Sequence, residues 1–203
     1  LYEASLEINW LKLAVALQET QDEYFLDADN GGYFTDSGIE SSIIIRMKET
    51  YDGAVPSANS ISVLNLLRIA EMTGDKEKRK TAEKTLQMGL GQMSEVPLAM
   101  PQMLVAYDFF LDTPPQIILA GRAKGEKTNL MLKEIFHHYI PNKVVLLADG
   151  AAGQEYLGRN LVFFKSIKPI QNSTTTYFCE NYTCQLPTAD VAVLRRLLNQ
   201  HTN

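Results

Sequence analysis

Asp52, Ser57, Asn59 and Ser60 lie close together in a segment that joins turn chemistry to an apolar helical stretch. Asp52-Gly53 is a turn pair, Pro56 pushes Val55 toward extended backbone, and Ser57 can cap the free N–H groups of the following helix. Lys48 and Glu49 stand just upstream. A helix N-terminus ringed by such groups suits a hydroxyl-rich or anionic ligand. Asp52 and Glu49 are the candidate catalytic acids of this segment. Lys48, Ser57, Asn59 and Ser60 are then the candidate ligand-binding groups, and Asp29, Asp36 and Glu40 are further acids of the same loops. The plain alternative is a well-capped structural helix, because every helix end needs partners for its N–H groups and few ends bind anything.

Other residue patterns are less specific. The segment from Gly121 to Thr128 has the glycine, lysine and threonine spacing of a phosphate loop between a strand and a helix. Glu126 stands where that loop needs glycine, so an ordinary strand-to-helix turn with negligible nucleotide affinity is expected. All three histidines, His137, His138 and His201, fall late in the chain. The earlier part is therefore without a histidine as a base near neutrality, and His137-His138 suits a helix C-terminus. Cys179 and Cys184 have four residues between them, against two in a thioredoxin-type pair. Reduced structural cysteines come first in order of expectation, a local disulfide second and a metal site third. No cofactor is expected.

The elements that position these residues divide the chain in two. Of 203 residues, 45% are apolar and 21% charged, as in an ordinary globular protein. The net charge of −5 hides an asymmetry, with a balance of −9 before residue 114 and +4 after it. We therefore expect one part over 1–113 and a second over 114–203, with a boundary at Thr113-Pro114-Pro115. The acidic first part and the scattered cations of the second argue against a nucleic-acid partner. No apolar run reaches the roughly 18 residues of a membrane span, and no leader opens the chain, so it reads as a cytoplasmic piece of something longer.

The spacing of Leu6, Trp10, Leu13 and Leu17 predicts one amphipathic helix over 2–20. A turn at Asp27–Thr35 and a returning strand at Ser42–Arg46 follow. Helices are expected from Ser57 to Thr73 with Ile61, Leu64, Leu67 and Ile69 inward, over 76–94 with Ala82, Leu86 and Leu90 inward, and from Pro97 to Phe110. Short connections argue for stacked hairpins. Gln116–Ala120, a helix over 126–138 and Lys143–Ala148 then read as a βαβ unit, followed by a helix over 154–163, a strand over 174–179 and a helix over 188–199.

Gly31-Gly32-Tyr33-Phe34, Lys48-Glu49, the run from Tyr51 to Ser60, Asn65-Leu66-Leu67-Arg68 and Thr73-Gly74-Asp75 follow one another in a characteristic order. Pro141-Asn142-Lys143-Val144, Ala148-Asp149-Gly150, Cys179–Cys184 and Leu186-Pro187-Thr188 continue it. With these motifs the chain resembles the spermatogenesis-associated, thioredoxin-domain-bearing family over nearly its whole length. The resemblance implies a thioredoxin-like domain followed by an (α/α)6 toroid similar to N-acylglucosamine 2-epimerases and six-hairpin glycosidases. On that basis residues 1–113 are helical hairpins of an incomplete toroid, and 114–203 form a small α/β layer subdomain with a mainly parallel sheet. The implied partners are a carbohydrate ligand, the thioredoxin-like domain and further toroid helices. Apolar positions such as Leu6, Trp10 and Leu13, left without those helices, imply self-association. The rival expectation is a non-enzymatic scaffold.

Overall fold

The computed structural model describes residues 1–39, 42, 44–180 and 183–201. Two compact units emerge, a helical one of Lys12–Glu71 and Asp75–Asp112, and an α/β one of Leu1–Leu11, Met72–Gly74 and Thr113–Asn203.

The N-terminal helix is broken in two. Between α1 (Tyr2–Ser5) and α2 (Ile8–Phe25), Leu6 adopts a left-handed backbone with φ 58°. Burial explains the break: Leu6 is 3% exposed within the apolar core of the α/β unit. A single straight helix would carry it elsewhere.

The helical unit continues with α3 (Ala58–Thr73), α4 (Lys76–Glu95) and α5 (Pro101–Leu111). Asp75 caps α4 by accepting from the Glu77 and Lys78 N–H groups, just after Gly74 at φ 72° has ended α3. Of the inward positions expected, Leu67 and Ile69 of α3 and Ala82 and Leu86 of α4 are buried, with Val63, Leu66, Ala70 and Met72 beside them on α3, whereas Ile61 and Leu90 are exposed and Gly89 is buried in place of Leu90. A Cβ on Gly89 would lie 3.3 Å from the Met100 side chain, so this face of α4 admits a close neighbour. Pro97–Ala99 is a separate 3-10 turn before α5 begins. No strand forms at Ser42 or Ile44–Arg46; Glu40 and Ile43 lie outside the described residues.

In the α/β unit, β1 (Gln116–Ala120) and β2 (Val144–Ala148) pair in parallel, linked through α6 (Glu126–His137), and every residue of both strands is buried. After α7 (Ala152–Leu157) and the 3-10 turn Val162–Ser166 come β3 (Thr175–Glu180), β4 (Thr183–Cys184) and α8 (Val191–Asn199). The sheet order is β2-β1-β3-β4, and β3 runs antiparallel to β1, as does β4 to β3. The sheet is therefore mixed, not mainly parallel. Thr175 begins β3 opposite Ala120, the last residue of β1.

One sheet face, with Ile117, Leu119, Val145 and Leu147, packs against Met131 and Ile135 of α6 and Leu194 and Leu198 of α8. The α8 cap is Asp190, accepting from Ala192 and Val193, and not Thr188. Arg195 grips the buried Glu134 through two bonds of 2.7 and 2.8 Å, which hold the Glu134 carboxyl below its ordinary range. Cys179 and Cys184, opposite one another on β3 and β4, form a disulfide, which reverses the order expected from their spacing. The bridge closes a very short loop, so reducing it should cost only about 2 kcal/mol by the chain-entropy relation. Denaturant titration with and without reductant measures this.

Candidate functional site

The segment from Tyr51 to Ser60 does converge, but on the chain's own backbone. Asp52 is buried. One carboxylate oxygen accepts the Ser57 N–H at 2.8 Å, and the other accepts those of Gln102 and Met103 at 2.9 and 3.1 Å. The Asp52 N–H in turn donates to the Ala99 carbonyl at 2.8 Å. Asp52 thus ties its own loop to the first turn of α5, whose N-cap position, Met100, offers no side-chain acceptor.

Asn59 has no exposed surface. Its side-chain oxygen accepts the Tyr33 N–H at 2.6 Å, and its amide donates to the carbonyls of Tyr33 and Glu49 at 3.0 and 2.8 Å. A side-chain amide used this way replaces one strand of a sheet, pairing with two loops at once. Ser57 Oγ accepts the Ser60 N–H at 3.1 Å and meets Ser60 Oγ at 2.8 Å, a cap inside the fold.

Lys48 sits at the neighbouring turn. Its ammonium donates to the Asp27 carboxylate at 2.7 Å and the Gly31 carbonyl at 2.5 Å, and lies 4.9 Å from the centre of the Phe34 ring. Glu49 is exposed, and one oxygen accepts the Tyr51 N–H at 2.9 Å. The Lys48 bond, followed by bonds from Asn30, holds the Asp27 carboxyl well below the ordinary carboxylate range. A folded-state pKa that is depressed gives stability present above the unfolded value and lost as pH falls through the folded one. Acid titration followed by circular dichroism should therefore show a loss in strong acid that Asp27→Asn flattens.

Sequence reasoning missed what makes this arrangement close. Gly31 and Gly32 have φ of 76° and 78°, and the Gly32 N–H donates to Thr85 Oγ1 at 3.1 Å on α4. Tyr33, also buried, donates its hydroxyl proton to Asp22 at 2.6 Å and accepts from Gln18 at 3.1 Å, and burial raises its pKa. The doubled glycine before an aromatic residue was the available signal. Among the described residues no group of three His, Cys, Asp or Glu side chains has metal-holding geometry, and no helix is long and apolar enough to cross a membrane.

Human spermatogenesis-associated protein 20 is 38% identical over 200 residues, 98% of this chain. The chain is a relative of spermatogenesis-associated protein 20. The mouse form of spermatogenesis-associated protein 20 is likewise 38% identical over 201 residues. An uncharacterized protein of Caenorhabditis elegans is 27% identical over 192 residues, 94% of the chain. The chain spans about a quarter of the length of these relatives, 25% in each case. No family model matches it.

Proposed function

We propose that this chain is a docking scaffold within a longer protein, its helical unit supplying hairpins of an (α/α)6 toroid whose other helices come from the remainder of that protein. One observation carries the reading: α2 presents Leu13, Leu17 and Tyr24 to solvent, 48, 62 and 41% exposed. Steps of four and seven residues place them along one seam of the helix, with Thr20 between, the pattern onto which a second helix packs. The occupant is a helix of the same longer protein, because relatives four times the length of this chain have the residues to provide it. Docking of a thioredoxin-like domain on that seam is the competing outcome.

Carbohydrate processing by the loop has less behind it. Asp52, Ser57, Asn59 and Ser60 are buried and spend their polar groups internally, which leaves Glu49 as the exposed acid of the six candidates. A sugar would have to displace bonds that the fold already uses.

The chain alone should self-associate through the open seam, and Leu13→Glu with Leu17→Glu should make it monomeric. Because both positions are exposed, the double variant should melt within about 0.5 kcal/mol of the parent. Sedimentation and thermal melting test this. A parent chain that is monomeric and binds no apolar dye would sink the proposal, as would a variant destabilised like a core substitution.

A further inference from the structure

We propose that the α/β unit binds a small phosphorylated polyol in a cavity at the carboxyl ends of β1 and β2, with Lys127 and Arg122 holding the phosphate. The cavity has a volume of about 460 Å³, and its walls are the loops after β1 and β2 and the segment Pro169–Thr174. Carboxyl ends of parallel strands are where sheets of this kind leave a crevice, and the volume is that of a small-molecule site. The inference concerns a different unit from the scaffold reading and does not rest on it.

The charges of the lining decide the class of ligand. Lys127 donates to the hydroxyl of Ser173 at 2.7 Å, and among the described residues neither Lys127 nor Arg122 has a carboxylate partner. Lys124 of the same loop does, pairing with Glu7 at 2.9 Å. Asp149 lines the cavity, but its oxygens accept the N–H groups of Ala151, Gly153 and Gln154 at 2.8, 3.2 and 2.9 Å, so its charge is answered by backbone. The lining thus holds two cations and two carboxylates, Glu126 and Asp149, with no surplus of positive charge: direct contact with Lys127 and Arg122 can hold one phosphate group, and no net field is left to draw in a triphosphate chain. Asn172 and the Lys127-bound Ser173 add neutral polar groups to the lining that can pair with hydroxyls. Gly121 keeps the crevice from closing differently: a Cβ there would lie 2.8 Å from Thr174 Oγ1, so the loop and the far wall meet at a fixed separation.

Calorimetric titration of the chain with glycerol 3-phosphate, inorganic phosphate, glycerol and ATP tests the proposal. Glycerol 3-phosphate should bind saturably at one site, phosphate should compete for it at least tenfold more weakly, and neither glycerol nor ATP should bind. Lys127→Ala and Arg122→Ala should each weaken glycerol 3-phosphate at least tenfold with melting unchanged, whereas Lys133→Ala on α6 should not. Arg122 is exposed, so its substitution keeps the test clear of folding effects even if Lys127→Ala perturbs the loop. Absence of saturable binding by either phosphate compound overturns the proposal. Phosphate binding as tightly as glycerol 3-phosphate, ATP binding more tightly, or affinity unmoved by both substitutions would do the same.

Discussion

Asn59→Ala is expected to cost the helical unit about 3 kcal/mol, a loss at the upper end of ordinary single substitutions. The alanine leaves the Tyr33 N–H and the carbonyls of Tyr33 and Glu49 without the partner that Asn59 gave them. Each buried polar group so stranded costs about 1–3 kcal/mol, reduced where water reaches the Glu49 carbonyl. Asp52→Asn keeps the shape but sets an NH2 against N–H donors, either that of Ser57 or those of Gln102 and Met103. About 2 kcal/mol should follow from donor facing donor, by the same desolvation argument. Denaturant melts of both variants measure these losses. Stability within a few tenths of a kilocalorie of the parent would show that the network is dispensable and return the loop to a ligand.

Gly32→Ala should be as damaging, for a steric reason. The added methyl would sit 2.5 Å from Met88 Sδ and 3.1 Å from the Asn59 side-chain oxygen, at a φ of 78° that non-glycine residues rarely adopt. Backbone strain contributes about 1 kcal/mol and the displaced Met88 and Asn59 add to it, so about 3 kcal/mol is expected in all. Gly150 is the comparison: its φ is 70°, but a Cβ would meet nothing within 4 Å. Gly150→Ala should therefore show the strain alone, about 1 kcal/mol. Equal losses at the two glycines would mean that the approach to α3 and α4 is looser than the distances imply.

What the sequence made legible was mostly local. Gly74 and Asp75 end one helix and cap the next through groups within three residues of each other, and the apolar runs at 116–120 and 144–148 became the buried parallel pair. Periodicity placed the helices and most of their inward positions, Leu67, Ile69, Ala82 and Leu86 among them, but not all: Ile61 and Leu90 fit the 3.6-residue pattern yet face solvent. The candidate site was legible as a cluster and not as a role. Asp52 and Asn59 carry the residue types of a ligand site, and nothing in their spacing reveals that Gln102, Met103 and Tyr33 will claim them from up to 51 residues away. The direction of β3 was hidden in the same way, since it is expressed in its pairing with the distant β1 and not in the residues of the strand alone.

The opening segment has a consequence in time. Tyr2 accepts the Leu147 N–H through its hydroxyl and Glu3 accepts that of Val145, contacts spanning 145 and 142 residues. At about 5–20 residues per second of synthesis, α1 waits roughly 7–30 seconds for its partner strand to exist. The sequence from Lys12 to Asp112 is meanwhile complete enough to fold around contacts of shorter span. During that wait Leu6 and Tyr2 are apolar surface without their partner strand, available to chaperones. The first helix of the chain is thus among the last to be secured, and slow amide protection at residues 1–6 relative to α3 and α4 during refolding would be its signature.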